Sequence, residues 1–139
     1  MVDLAIEVLD GTPVAGSRIA ILGAAFKPDS DDVRDSPALD VAEKLTARGA
    51  IVVVTDPEAI DNAQRRSPHL SFASTVEEAV HNCDAVLLLT EWQQYRELDP
   101  DKLADLVRHR RIVDGRNALD PMVWTSAQWT YRALGRHSA

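Results

Sequence analysis

The sequence is poor in cysteine and contains no long apolar run. Cys83 is the single cysteine, which excludes an internal disulfide framework, and the four histidines are too scattered to indicate a metal site. No apolar run approaches the roughly 20 residues that a membrane-spanning helix needs. Two acidic residues interrupt the first seven positions, so the N-terminus does not resemble a secretory signal. These absences predict a cytoplasmic protein that needs neither a disulfide nor a metal to fold.

Positive charge is also scarce. The chain has 15 Lys and Arg against 22 Asp and Glu, a formal net charge of -7, which argues against non-specific binding to nucleic acid or to an anionic membrane. What is present is globular: 139 residues, 45% hydrophobic and 27% charged, suit one ordinary domain with a sizeable core and exclude a disordered chain. An anionic ligand would therefore have to be attracted by a local group of basic residues.

The apolar residues form short continuous runs, which is the pattern of strands buried on both faces of a parallel sheet. Helical patterns lie between these runs, so the alternation predicts an α/β fold with a doubly wound, mainly parallel sheet, Rossmann-like in architecture. A weakly alternating segment at 129–134 could add an edge strand. The four predicted strands are 19–22, 51–54, 85–89 and 112–113.

Local signals predict where several helices begin. Ser36 and Pro37 suit the N-cap and first position of one helix, Ser74 with Glu77 suits a capping box, and Asp99 with the following proline opens a third helix. Apolar residues at helical spacing also mark 2–9, which we interpret as the end of a helix from a preceding region. The predicted organisation is a linker or helix end at 1–12, one domain at 13–135 and a frayed tail at 136–139.

Open parallel sheets bind ligands beyond the carboxyl ends of their strands, which directs attention to the loops at 23–36, 55–57, 90–92 and 114–117. The first loop is much longer than a usual strand-to-helix connection, and it leads to a helix N-terminus, which favours a phosphate. Lys27 and Arg34 add positive charge to it. Arg116, after a glycine at the end of a strand, is the strongest isolated candidate for a phosphate or ring contact, because its planar fork suits oxyanions.

Other interpretations of these loops remain open. Loop 23–36 lacks the further glycines of a dinucleotide fingerprint and the spacing of a calcium loop, and its acidic residues could simply form turns and orient Arg34. Asp56 could contact a ribose or form a turn. Thr90 with Gln93 could be a capping box, and Trp92 could be a core, interface or stacking residue. Cys83 has no histidine predicted beside it, so a small structural role is the default.

The first loop, GAAFKPDSDDVRDSP at 23–37, closely resembles the loop that marks the C-terminal, nucleotide-sugar-binding domain of the UDP-glucose/GDP-mannose dehydrogenase family. Later landmarks of that family have matches at 56–57, 90–92, 114–117 and 119–120, and the resemblance runs from about 18 to 135. The sequence Thr90-Glu91-Trp92 favours the UDP-glucose-oxidising branch of the family.

The resemblance implies an enzyme that oxidises the 6-hydroxyl of UDP-glucose to a carboxylate in two NAD-dependent steps, through a covalent thiol intermediate. It further implies that an N-terminal domain binds NAD, that the full-length protein is a homo-oligomer, and that this chain is the part that closes over the UDP-sugar. No residue here matches the catalytic cysteine motif, and Cys83 does not take that role, so the chain alone is expected to be inactive.

Carried over to this sequence, the family's pattern assigns UDP-sugar contacts to Phe26, Lys27 and Arg116, and an NAD contact to Arg34.

Two alternatives to a dehydrogenase domain remain open. A stand-alone nucleotide-binding or regulatory module could use the same fold without redox chemistry, although the lysine expected after the last strand of a receiver domain is missing. An interaction domain could use exposed tryptophans as anchors, namely Trp92, Trp124 and Trp129.

Overall fold

The computed structural model describes residues 1–134, which form a six-stranded parallel sheet flanked by helices. The strands are β1 (Arg18–Leu22), β2 (Ile51–Thr55), β3 (Ser71–Phe72), β4 (Ala85–Leu88), β5 (Arg111–Asp114) and β6 (Thr130–Ala133). The helices are α1 (Val2–Val8), α2 (Pro37–Ala47), α3 (Ile60–Arg66), α4 (Val76–Val80), α5 (Gln93–Arg96), α6 (Pro100–Ala104) and α7 (Pro121–Ser126). None of these helices is both long and apolar enough to cross a bilayer.

The strand order β3-β2-β1-β4-β5-β6 confirms the doubly wound parallel sheet predicted from the apolar runs. Ile19 pairs with Val52 of β2 on one side and with Ala85 of β4 on the other. All four residues of β4 are buried, as expected for a central strand covered on both faces. Strands β1 to β3 build one half of the sheet and β4 to β6 the other, so the direction of winding reverses between the neighbouring strands β1 and β4. Open α/β sheets form a ligand crevice at such a point.

The predicted start of α2 is confirmed. The Ser36 hydroxyl accepts a hydrogen bond from the Leu39 amide, and Pro37 occupies the first helical position, where its missing N–H costs nothing. Gly49, just beyond the helix, has a φ of 93°, a conformation that other residues rarely adopt. These two ends determine where the loop after β1 stops and where β2 begins.

Several local predictions need correction. Thr75, not Ser74, caps α4, because its hydroxyl accepts from the Glu78 amide at 3.1 Å. The sequence reading missed β3, α3 and α7, whereas the suggested edge strand at 129–134 is present as β6 and pairs in parallel with β5. The short length of β3, two residues, explains why no periodic pattern revealed it.

The tryptophans lie inside the molecule, so the alternative in which exposed tryptophans anchor a partner is wrong. Trp124 and Trp129 pack edge to face with ring centroids 4.9 Å apart, and the Trp129 Nε1–H donates to the Pro100 carbonyl. Trp92 is also buried.

Helix α1 packs against the same core: Ala5, Val8 and Leu9 are buried, and the helix contacts β5 and β6. The predicted tail at 136–139 lies outside the described residues.

Candidate functional site

The carboxyl edge of the sheet brings together the loops that follow β1, β2, β4 and β5, as the strand-end rule predicts. These loops come from four consecutive strands in the order β2-β1-β4-β5, so each lies beside the next. The residues predicted to bind ligand all lie on two of them: Phe26, Lys27 and Arg34 follow β1, and Arg116 follows β5.

The loop after β1 starts with a glycine that the packing requires. Gly23 has a φ of 105°, and a Cβ built on it would collide with the side chain and the backbone nitrogen of Thr90. Any other residue would therefore be strained in conformation and would push this loop away from the loop after β4. Further along, the Phe26 amide donates to the Asp32 carbonyl at 2.8 Å, which closes the loop on itself.

Asp56, at the end of β2, holds the base of this loop in place. One carboxylate oxygen accepts from the amides of Ala24 and Ala25, at 2.8 and 3.0 Å, and from Nε1 of Trp92. The other accepts from the amides of the two residues at the start of the next turn, Glu58 and Ala59. Asp56 is 2% exposed, so both of its oxygens are committed to the protein's own donors.

Thr90 links the loop after β4 to the loop after β1. Its buried hydroxyl donates to the Ala25 carbonyl at 2.9 Å, one residue before Phe26. The predicted capping box of Thr90 with Gln93 is therefore wrong, and Trp92 occupies the N-cap position of α5 without a side-chain cap. The residue that looked like a helix start instead connects two strand-end loops.

Phe26 and Lys27 lie at the solvent-facing side of the loop. Phe26 is 51% exposed, which is unusual for an aromatic residue in a chain that buries all three of its tryptophans. Lys27 is exposed, and within residues 1–134 it forms no hydrogen bond or ion pair, although its charge helps to lower the pKa of Asp32. An apolar ring beside an uncommitted ammonium group can contact a ligand that has both a ring and an anion.

Arg34 lies in the same loop, and its side chain is 87% exposed. Asp32 accepts from its Nε and from its Nη2, the latter at 2.8 Å. The hydrogen bond from Arg34 is the main reason that the pKa of Asp32 falls to about 2, so the pair is charged at neutral pH. The prediction that a loop acid orients Arg34 is confirmed.

Arg116 is held from both its backbone and its side chain. Asp114, at the end of β5, is fully buried and accepts from the amides of Arg116 and Leu119 and from the Tyr131 hydroxyl. Glu91, on the loop after β4, accepts from the guanidinium Nε at 2.8 Å and from Nη2 at 3.2 Å. Arg116 therefore extends from an anchored loop to a carboxylate on the neighbouring loop.

Sequence reasoning placed the basic residues on the correct loops and expected a loop acid to orient Arg34, but it missed the residues that hold Arg116 and the base of the loop after β1. Asp114 was noted only as part of a motif, and Glu91 only as a neighbour of Thr90. The positions of Asp56, directly after β2, and Asp114, the last residue of β5, were a usable signal, because a carboxylate buried at a strand end must find donors nearby. No signal in the sequence pairs Glu91 with a residue 25 positions away.

Cys83 lies at the opposite edge of the sheet, just before β4, and is 1% exposed. Burial, with the Asp84 charge beside it, raises the pKa of the thiol to about 12. The group is therefore protonated at neutral pH and shielded from solvent, which agrees with the structural role expected for it.

Comparison with known proteins agrees with this geometry. Residues 20–121 match the model of the UDP-glucose/GDP-mannose dehydrogenase family, UDP binding domain. A UDP-glucose 6-dehydrogenase of Rhizobium meliloti is 38% identical over 126 residues, which cover 91% of this chain and 29% of that protein. UDP-glucose 6-dehydrogenase YwqF of Bacillus subtilis is 36% identical, with 98% of this chain and 31% of that protein covered.

Solved structures give the same result. The NDP-N-acetyl-D-galactosaminuronic acid dehydrogenase from Methanosarcina mazei superposes with a TM-score of 0.87 at 30% identity, covering 97% of this chain and 28% of that one. A UDP-glucose dehydrogenase from Pyrobaculum islandicum superposes with a TM-score of 0.76 at 32% identity, covering 94% of this chain and 28% of that one. This chain thus spans less than a third of the length of these relatives. It belongs to the UDP-glucose/GDP-mannose dehydrogenase family and matches that family's UDP binding domain.

Proposed function

We propose that this chain is the UDP-sugar-binding part of an NAD-dependent dehydrogenase that oxidises UDP-glucose to UDP-glucuronate. The observation that carries the proposal is that two adjacent residues, Thr90 and Glu91, join the loops that hold the candidate residues. The Thr90 hydroxyl donates a hydrogen bond to the carbonyl of Ala25, next to Phe26, and the Glu91 carboxylate accepts one from Arg116. These contacts support our proposal that basic groups from the two loops act on one ligand, in a chain whose net charge is -7.

In the proposed complex, Lys27 and Arg116 bind the charged part of the UDP-sugar. Lys27 supplies a compact charge near the diphosphate or the sugar, and Arg116 supplies a planar fork for an oxyanion. Phe26 provides an exposed apolar face for a ring of the ligand. This division of roles suits a nucleoside diphosphate sugar, which combines rings with an adjoining pair of phosphates.

The proposal assigns most of the NAD contact and all of the chemistry to another region of the full-length protein. NAD would accept the hydrides removed from the sugar. Arg34 fits a supporting role, because its exposed guanidinium could reach a cofactor phosphate held by that region. It also lines an open groove with Arg65 and Arg66 of α3, and the carboxylates of Asp31 and Asp32 line the same groove. We assign no catalytic residue to this chain, and we propose that the full-length protein is a homo-oligomer.

The test is a titration of the 139-residue chain with UDP-glucose and, separately, with NAD, followed by backbone amide shifts in NMR. Shifts that cluster at Phe26, Lys27 and Arg116 with UDP-glucose are the expected result. An absence of shifts at these three residues at millimolar UDP-glucose would contradict the proposed site.

Lys27→Ala should weaken UDP-glucose binding by about 1.5–3 kcal/mol, the range for a hydrogen bond to a charged group. Lys102→Ala is the matched control, because Lys102 is an exposed lysine of α6, away from the strand-end loops. Calorimetric titration of both variants checks the prediction. Equal affinity of the two variants would remove Lys27 from the site.

A further inference from the structure

Glu91 holds one edge of the Arg116 guanidinium and leaves another edge available. Its two oxygens accept from Nε at 2.8 Å and from Nη2 at 3.2 Å. A guanidinium has five N–H donors in a planar fork, so this side-on pairing leaves the end-on edge, formed by Nη1 and the second hydrogen of Nη2. Among residues 1–134, no side chain or carbonyl accepts a hydrogen bond from that edge. The end-on edge has two parallel N–H groups and can therefore bind a phosphate through two hydrogen bonds.

The pair is partly shielded from water. The Glu91 side chain is 18% exposed and the Arg116 side chain is 37% exposed. Burial raises the pKa of Glu91, but the hydrogen bonds and charge of Arg116 outweigh burial and lower it overall. Glu91 is therefore ionised at neutral pH, and its attraction for the guanidinium is screened less than that of a fully exposed pair.

Both members of the pair are anchored by their neighbours. Thr90 fixes the start of the Glu91 segment through its bond to Ala25, and the Glu91 carbonyl accepts from Nε of Arg96 at 3.4 Å. On the other side, Asp114 accepts from the amide of Arg116. A carboxylate and a guanidinium whose backbones are both held can restrict a flexible arginine side chain before any ligand arrives.

We propose that Glu91 is a positioning residue, which holds Arg116 so that its end-on edge is ready to receive a phosphate oxygen of the nucleoside diphosphate. This role rests on the proposed function, because it requires Arg116 to contact that ligand. Ordering the side chain in advance reduces the entropy that is lost when the ligand binds. Glu91 itself need not touch the ligand.

The direction in which one substitution changes UDP affinity distinguishes a positioning role of Glu91 from a simple effect of its charge. Glu91→Gln removes a negative charge near an anionic ligand, so Coulomb's law alone predicts tighter UDP binding. Loss of positioning predicts the opposite, an increase of about tenfold in the dissociation constant, within the range of coupling between residues in contact. Glu97→Gln is the control: it makes the same charge change on α5's C-terminal cap, where the carboxylate bonds Gln93 instead of an arginine.

The experiment measures UDP affinity for the unsubstituted chain, Glu91→Gln, Arg116→Ala, the double variant and Glu97→Gln, at one salt concentration. We expect Glu91→Gln to weaken binding in the unsubstituted background and to have no further effect in the Arg116→Ala background. Relaxation of the Arg116 Nε–H in NMR, without ligand, should show faster motion in Glu91→Gln. Thermal unfolding of each variant verifies that the fold is intact.

The outcomes separate the two proposals. If UDP binds the unsubstituted chain and Arg116→Ala weakens it, but Glu91→Gln binds equally or more tightly, the positioning role is wrong and the proposed function stands. An equal loss from Glu91→Gln in both backgrounds would also overturn the role, because the effect would not pass through Arg116. No UDP binding by the unsubstituted chain would overturn the proposed function, and the positioning role would fail with it.

Discussion

Arg34 and Arg116 are held by the same kind of contact but depend on different levels of structure. In both, a carboxylate accepts from Nε and Nη2. The partner of Arg34 is Asp32, two residues away in the same loop, whereas the partner of Arg116 is Glu91, on the loop of a neighbouring strand. The Arg34 side chain is 87% exposed and the Arg116 side chain 37% exposed. The comparison shows that a local sequence can orient one arginine, while the sheet is needed to orient the other.

The two loops that carry these arginines also differ in whether the residue that anchors them is local or follows a neighbouring strand. The loop after β5 is anchored mainly by Asp114, the last residue of its own strand. The longer loop after β1 is anchored by Asp56, which directly follows β2, and by a hydrogen bond from Thr90, which follows β4. The short loop therefore forms with its strand, and the long loop needs both neighbouring strands in place.

Among these predictions, replacing Asp56, which anchors the long loop, should produce the largest loss of stability. Asp56→Ala leaves the buried amides of Ala24 and Ala25 and the Trp92 Nε1–H without an acceptor, so we expect a loss of about 3–4 kcal/mol of unfolding free energy. Chemical denaturation measures it. Asp99→Ala, which removes an exposed helix cap, is the control and should cost about 1 kcal/mol. Equal losses in the two variants would show that Asp56 does not anchor the loop.

Asp84, a buried carboxylate at the opposite edge of the sheet, extends the comparison to the dependence of stability on pH. Burial opposes ionisation of Asp84, but hydrogen bonds from the Arg18 amide and His109, with the charge of Arg108, outweigh it and lower its pKa. Because the folded pKa is below the unfolded value of about 3.9, the stabilisation is present above that pH and is lost as pH falls through the folded pKa.

Asp84→Asn should therefore cost about 1–3 kcal/mol at neutral pH and should flatten the decline of stability below about pH 4. Unfolding free energies measured from pH 7 to pH 2 check both parts. Asp101→Asn makes the same charge change on the exposed surface of α6 and is the control. An unchanged acid slope in Asp84→Asn would contradict the role assigned to its partners.

The smallest effect is expected at Asp32. Asp32→Ala removes an exposed pair that solvent screens, so the thermal midpoint should not change measurably. NMR relaxation of the Arg34 Nε–H should nevertheless show greater motion, since its only carboxylate partner in the described part of the chain is gone. A clear fall in the thermal midpoint would show that this pair stabilises the fold and does more than orient Arg34.

The strands were easier to predict than the short elements between them. Continuous apolar runs marked β1, β2, β4 and β5, and β1, β4 and β5 are buried on both faces, whereas β2 is exposed at Ile51. Helix α7 was missed although Asp120 and Pro121 repeat the signature that revealed α6, so the signal was present and was not used. In contrast, β3 has too few residues to show a period, and only its pairing with β2 defines it.

The sequence by itself determined four strands of the sheet, the loops at its carboxyl edge and the basic residues on those loops, because burial and turn formation depend on residue type and short-range order. Tertiary structure decided which groups hold one another. Hydrogen bonds join Asp56 to Ala24, Thr90 to Ala25 and Glu91 to Arg116, and each pair is separated by 25 or more positions of the chain. Such contacts exist only after parallel strands align their ends, since hydrogen bonds require atoms within about 3 Å and sequence spacing carries no such distance.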